Sequence, residues 1–170
     1  MPINIAILSV SDTRSLATDK SGDLLQELIL QSGHNVVKRL IVSDEMAEIV
    51  KVLQKWIDMQ TIDVILSTGG TGLTGRDVTV EAHRKVYEKE IDAFSSVFTT
   101  ISMAKIGTSA LQSRACGGVA SGTYLFALPG SPAACRDAWE EILVFQLDYR
   151  NQPCNLVEIL PRLGEHERRK

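Results

Sequence analysis

Residues 62–77 of this 170-residue chain, Ile62-Asp63-Val64-Ile65-Leu66-Ser67-Thr68-Gly69-Gly70-Thr71-Gly72-Leu73-Thr74-Gly75-Arg76-Asp77, decide its fold. Residues 62–67 read as a strand buried on both faces, and that strand runs straight into a glycine-rich loop. Upstream, residues 3–10 form a second nearly continuous apolar run, broken only by Asn4 and Ser9. After the polar loop 11–20, Leu24, Leu25, Leu28 and Ile29 share one helical stripe, and Gly33 sits where that helix should end. Asn35–Val42 reads as another strand, and Met46, Ile49, Val50, Leu53, Trp56 and Ile57 then repeat at helical spacing. Strands alternating with helices in this way imply a parallel sheet with right-handed crossovers. The expected class is therefore α/β: a three-layer αβα sandwich around a mainly parallel sheet.

Downstream of the loop, residues 78–105 read as helical but irregular. Cys116-Gly117-Gly118 and Ser121-Gly122 suggest a turn-rich segment around short strands, and residues 124–128 a further buried strand. A helix is expected over residues 133–146, with Ala138, Trp139, Ile142 and Leu143 facing inward, Ser131 as N-cap and Pro132 at the first helical position. One domain over residues 1–163 and a charged tail over 164–170 complete the expected organisation.

A composition of 44% hydrophobic and 23% charged residues is that of an ordinary soluble globular protein. A net charge of −3 gives no general attraction to nucleic acid or anionic lipid, so neither is expected as a partner. Cys116, Cys135 and Cys154 are widely spaced, and His34, His83 and His166 show no ligand spacing. Neither a disulfide framework nor a zinc site is implied. With no leader-like start and no long apolar run, a cytoplasmic location is expected.

The loop Thr68-Gly69-Gly70-Thr71-Gly72 lies at the carboxyl end of a strand, where open α/β sheets bind ligands. Glycines let backbone N–H groups approach an anion, and a following helix N-terminus adds partial positive charge. Phosphate is the natural guest, although a tight turn that binds nothing would need the same glycines. Gly70-x-Gly72-x-x-Gly75 matches the dinucleotide fingerprint, but no strand with an acidic end is expected after the helix. Arg76 and Asp77 stand where a P-loop carries lysine and a hydroxyl, which argues against a GTPase-like or kinase-like site. No nucleophile elbow surrounds Ser131, so a serine hydrolase has no support.

Asp44 follows the second strand and Asp77 follows the glycine loop, which places both carboxylates at one sheet edge. Two carboxylates facing a phosphate are expected to hold Mg²⁺. Asp44 could equally cap its helix, and Asp77 could bond local backbone. Gly130 and Ser131 after the later strand offer a second anion-receptive turn, and Ser11 and Asp12 after the first strand a third, though these are also common turn residues.

Taken together, Ser9-Val10-Ser11-Asp12, Ser43-Asp44-Glu45, the glycine loop with Arg76-Asp77-Val78-Thr79, Ser113-Arg114 and Leu128-Pro129-Gly130-Ser131-Pro132 resemble the MoaB/Mog family in order and spacing across almost the whole chain. Residues 106–110 before Ser113-Arg114 are similar to its MoaB branch. The resemblance implies a role in molybdenum-cofactor biosynthesis, by transfer of AMP from Mg-ATP to molybdopterin. It would make Asp44 and Asp77 the catalytic, Mg²⁺-organising carboxylates, the Gly69, Gly70, Thr71 and Gly72 backbone the phosphate cradle, and Ser131 a pterin contact. It also implies a homotrimer or a dimer of trimers. Asp92-Ala93-Phe94-Ser95-Ser96-Val97 departs from the glycine-phenylalanine segment and glutamate of active relatives. A second expectation therefore stands beside the first: a pterin- or nucleotide-binding paralogue that does not adenylylate, with a dehydrogenase a distant third.

Overall fold

The structure, a computed structural model, describes residues 1–165. Strand β1 (Asn4–Val10) sends Ile5 and Ile7 into one apolar cluster and Ala6, Leu8 and Val10 into another. That two-sided burial is why its sequence lacks polar alternation. Strands β2 (Asn35–Val42), β3 (Val64–Thr68), β4 (Lys89–Glu90), β5 (Cys116–Ala120) and β6 (Thr123–Leu128) complete a six-stranded sheet of order β2-β1-β3-β6-β5-β4. From β2 through β6 the pairing is parallel, while β5 runs antiparallel to both its neighbours. The expected mainly parallel sheet is present.

Helices lie on both faces, which makes the three layers. On one side α1 (Lys20–Gln31), α4 (Asp92–Ile106) and α5 (Pro132–Ala138) bury Leu25, Ile29, Phe94, Phe98 and Ala138 against Ile7, Leu66 and Phe126. The α5 helix continues through a π turn over Trp139–Leu143 into α6 (Val144–Gln146), with Trp139 and Leu143 facing the same core. On the other side α2 (Met46–Asp58) and α3 (Thr79–Val86) contribute Ile49, Leu53, Trp56, Ile57 and Ala82. Each large aliphatic or phenylalanine side chain among these contributes roughly 1.5–3 kcal/mol when fully buried, so the helical stripes are what fasten the layers.

The chain departs from expectation between β3 and β6. Residues 78–105 do not form one irregular helix: α3 ends where Tyr87 turns extended, and β4 intervenes before α4. Glu88 and Ile91 donate their N–H groups to Val119 and Gly117 of β5, so sheet pairing overrides local helical pattern there. The glycines of Cys116-Gly117-Gly118 are not a turn but strand residues packed under aromatic rings. A Cβ on Gly118 would lie 2.4 Å from the Tyr87 ring. The true turn is Ser121-Gly122, with φ of 42° and 85°, the two-residue geometry of a tight hairpin between β5 and β6.

Of the charged tail expected over 164–170, Gly164 and Glu165 lie in or beside a turn, and residues 166–170, His166 among them, lie outside the described residues. No helix among the described residues is long and apolar enough to cross a membrane.

His83 of α3 is wholly buried, its Nε2 2.7 Å from Ser67 Oγ and its Nδ1 3.0 Å from Tyr87 Oη. Burial pushes its imidazole down to about 3, so the folded chain keeps it neutral. The unfolded chain protonates histidine near pH ~6.5. The stability that neutral His83 contributes is therefore complete above about pH 6.5 and is lost as the pH falls from there toward about 3. Urea unfolding across this window should show a decline to which this one group adds at most about 1.4 kcal/mol per pH unit. His83→Gln should unfold with a visibly shallower pH slope; equal slopes in the two proteins would show that His83 titrates normally.

Candidate functional site

Strands β1, β2, β3 and β6 run in one direction, so the loops that follow them open at a single edge. Ser11 and Asp12 leave β1, Asp44 leaves β2, the glycine turn leaves β3, and Gly130 and Ser131 leave β6. All the residues expected to form a site are thereby brought to that edge.

Asp12 and Asp44 cap each other's backbone. The N–H of Asp12 donates to Asp44 Oδ2 at 3.0 Å, and the N–H of Asp44 donates to Asp12 Oδ1 at 2.9 Å. The capping role considered for Asp44 is absent: Glu45 holds the N-cap position of α2, without a side-chain bond. Asp44 Oδ1 instead faces the glycine turn, 3.2 Å from where a Cβ on Gly70 would stand. Asp77 does bond locally, as its plainer reading held: its Oδ2 accepts from the N–H and the hydroxyl of Thr74 at 2.8 and 2.7 Å. That same oxygen lies 2.7 Å from a Cβ built on Gly72, so both carboxylates flank one turn.

Their environments pull them apart. Burial, then the nearby charges of Asp77 and Glu45, raise the Asp44 carboxyl above its ordinary range. Burial pushes Asp77 upward too, but hydrogen bonds from Thr74 and from the Gly72 N–H, with the charge of Arg114, outweigh it and hold Asp77 low. Arg76 forms an ion pair with Asp12 across the mouth of the site.

Within the turn the backbone groups have separate duties. Gly69 and Gly70 have φ of 96° and 64°, a region that favours glycine. The N–H of Gly69 donates to Leu128 O at 3.1 Å, which ties the turn to β6, and Gly70 O accepts from the N–H of Thr79 at 2.9 Å. Among the described residues the N–H groups of Gly70 and Thr71 donate to no protein acceptor. They are amides free to face an anion. Thr79 Oγ1, buried and without a hydrogen-bond partner among the described residues, lies on the same side of Gly70 as Asp44.

The remaining expected residues support the edge. Thr68 is buried, and its hydroxyl donates to Pro129 O at 3.0 Å, holding the β6 loop. Ser11 Oγ accepts from the N–H groups of Thr13 and Arg14, closing a local turn. Ser131 is the N-cap of α5, its Oγ accepting from the Ala134 N–H at 3.2 Å, and its own hydroxyl proton can still be donated outward. Gly130 O accepts from Arg14 and Ser21.

Sequence reasoning missed the group that holds the β1 loop. Asp19 is fully buried, receiving Ser9 Oγ at 2.6 Å, the Gly22 N–H at 3.1 Å and Arg39 Nη2 at 3.1 Å. Burial raises its carboxyl, but the bonds from Ser9, Gly22 and Arg39 outweigh burial and hold it low. An aspartate directly ahead of an apolar helical stripe was a legible start signal for α1. Arg114, quoted in the sequence only as part of a motif, enters the same edge because β5 is antiparallel and begins there.

A shape of this kind can hold a phosphate on two free amides, with hard oxygen ligands for a divalent cation beside it. Comparison with known proteins agrees in kind. Residues 6–149 match the domain family described as "Probable molybdopterin binding domain". The chain is 45% identical over 155 residues to molybdenum cofactor biosynthesis protein B of Escherichia coli K12, covering 91% of each chain. It is 42% identical over 163 residues to the protein of the same name from Staphylococcus epidermidis, covering 88% of this chain and 93% of the relative. Among solved structures, a molybdenum cofactor biosynthesis protein B superposes with a TM-score of 0.83 at 35% identity, over 100% of this chain and 98% of that one. The tungsten cofactor synthesizing protein MoaB of Pyrococcus furiosus gives 0.78 at 29%, over 96% and 98%.

The geometry of Gly69 is directly testable. A Cβ there would lie 2.4 Å from Val10 O at a φ of 96°, whereas one on Gly75 would meet nothing within 4 Å. Gly69→Ala should cost about 2 kcal/mol or more in urea unfolding, and Gly75→Ala less than about 0.5 kcal/mol. Similar small losses for both would mean that the turn can open away from β1.

Proposed function

The chain belongs to the MoaB/Mog family of molybdopterin-binding domains and has its role in molybdenum-cofactor biosynthesis, and from that premise we propose that its carboxyl edge binds the phosphate of molybdopterin and transfers AMP to it from Mg-ATP. The observation that carries this is the pairing of Asp44 and Asp77 around a turn whose Gly70 and Thr71 amides are free. In the reaction, an oxygen of the pterin phosphate attacks the α-phosphorus of ATP. One P–O bond forms, another breaks, and pyrophosphate leaves.

Such transfer needs little covalent help from a protein and much positioning and charge stabilisation. Gly70 and Thr71 hold a phosphate oxygen by their N–H groups, and Ser131, from the neighbouring loop, donates its hydroxyl to the pterin. Ser11, Asp12 and Gly130 shape the walls, with Asp12 fixing Asp44. Mg²⁺ fits the donors present: Asp44 Oδ1 and the Thr79 hydroxyl, unpartnered among the described residues, are hard oxygens beside Gly70, Asp77 supplies another beside Gly72, and this ion takes only one or two protein carboxylates when substrate phosphates supply the rest. When bound it would neutralise phosphate charge between those carboxylates. The buried free thiols Cys116 and Cys135 suit the reducing cytoplasm in which we place the protein.

A second reading has its own observation. In Asp92-Ala93-Phe94-Ser95-Ser96-Val97, Phe94 is buried in the core and Ser95 donates to Ala115 O at 2.6 Å, so this segment is structural here. A protein that binds the pterin or nucleotide and hands it on, without transfer, would need no more than the turn.

For assembly, we infer a homotrimer or a dimer of trimers. Val97, Met103 and Ile106 of α4, with Leu111 and Phe145, are large apolar side chains left exposed on a small chain. Light scattering at micromolar concentration should give three or six chain masses, and a single chain mass would end this assignment.

Asp44→Asn and Asp77→Asn keep shape and remove charge. AMP transfer should fall by about 10²-fold or more in each, the scale of losing one preorganised electrostatic group. Affinity for pyrophosphate should stay within a few-fold in the absence of Mg²⁺, because backbone N–H groups provide it. Unchanged transfer by Asp77→Asn would remove its catalytic role, and a wild type that binds but never transfers would establish the second reading.

A further inference from the structure

Arg114 sits just ahead of β5 and reaches the back of the glycine turn. Its Nε donates to the carbonyls of Thr71 and Gly72 at 2.9 and 3.0 Å. Nη2 lies 3.5 Å from the carbonyl of Asp77. The guanidinium is in turn held by Glu81 of α3, with Nη1 2.5 Å from Oε1 and Nη2 3.2 Å from Oε2. This is the two-pronged arginine–carboxylate geometry, stiffer and more directional than a lysine contact could be.

The peptide bond converts that contact into a direction. In a trans peptide the C=O of one residue and the N–H of the next point opposite ways. With the Thr71 and Gly72 carbonyls drawn toward Arg114, the N–H groups of Gly72 and Leu73 must point away from it. The Asp77 carboxylate lies beside this residue, its Oδ2 2.7 Å from where a Cβ on Gly72 would stand, close enough for the Gly72 N–H to help hold that carboxyl low. Among the described residues the hydrogen bonds these two carbonyls accept come from Arg114, which is what fixes them.

We propose that Arg114, braced by Glu81, is a positioning residue that sets the Thr71-Gly72-Leu73 peptides so that Gly72 N–H locks Asp77 in place and the turn stays open to phosphate. It touches no ligand itself. The inference rests on the phosphate-binding reading above, and it adds to that reading a residue whose action passes wholly through backbone. Glu81 matters because it stops the guanidinium from turning to solvent. Its carboxyl is held low first by the hydrogen bond from Arg114, so the pair is charged on both sides.

The test uses the whole chain and two readouts. Amide hydrogen exchange at Gly72, followed by NMR, reports the peptide direction without any ligand. Pyrophosphate titration reports the turn's competence to hold an anion. In Arg114→Gln, exchange at Gly72 should accelerate about tenfold or more, and pyrophosphate affinity should fall about tenfold, with little change in the thermal midpoint. Arg114→Lys should rescue only partly, since an ammonium cannot bridge both carbonyls and Glu81 at once. Glu81→Gln should show the same pattern more weakly, and the double variant should be no worse than Arg114→Gln alone, as expected of groups acting as one unit. Should Arg114→Gln fail to fold, Arg114→Lys carries the same comparison. Wild-type exchange and affinity in a folded variant would overturn the proposal. A wild type that binds no pyrophosphate would instead count against the phosphate-binding reading, and Gly72 exchange would still decide the role of Arg114.

Discussion

The ends of β1, β3 and β6 converge on the Cα of Gly69, and there is no space there for a methyl group. A Cβ on Gly69 would press into Val10 O at 2.4 Å, and one on Gly130 would stand 3.2 Å from the Gly69 Cα. Three neighbouring parallel strands leave the sheet through that crowded gap, and the chain passes only because residues 69 and 70 adopt positive φ. The tight exit bends the turn back over the edge. Without it, Asp77 and Thr79 would be carried away from Asp44, and the loops after β1 and β6 would have nothing to close on.

The edge is held from behind by side chains that touch no prospective ligand. Asp19 with Arg39 and Ser9 fixes the loop after β1, Arg14 and Ser21 fix Gly130 O, and Thr68 fixes Pro129 O. On the ligand-facing side, Asp12 and Asp44 fix one another. Each contact satisfies a polar group that would otherwise be costly at a partly buried edge. Together they leave the Gly70 and Thr71 amides among the donors without internal work, which is the state a preorganised anion site requires. The contrasting carboxylates follow from the same supports. Asp77 has hydrogen-bond donors and Arg114 at its side, whereas Asp44, with a single backbone donor, lies half-buried beside like charge.

Much of this was legible one residue at a time. The two-sided burial of β1 and β3 showed as apolar runs, α2 showed as a helical stripe, and Ser131-Pro132 showed as a helix start, because these signals are local and periodic. That the candidate site residues gather together was legible because a loop after a parallel strand has only one edge to occupy. The stretch 78–105 was not, since the Glu88 and Ile91 N–H groups find their partners on β5, about 30 residues away. Gly117 and Gly118 looked like a turn for a related reason: they are small to admit Phe126 and Tyr87, which no local pattern displays.

The sequence by itself determined the strand-helix alternation, the sheet edge at which the candidate site residues gather and the residue types found there, because hydrophobic period and chain direction are properties of neighbouring residues. Only the tertiary structure decided which groups are free to act. Asp44 turns from its own helix to Asp12, Gly69 gives its N–H to Leu128, and Arg114 arrives from a strand whose antiparallel course no local pattern announced. Hydrogen-bond donors and acceptors are shared across the sheet once it forms, and that sharing is a property of packed distance, which sequence separation does not measure.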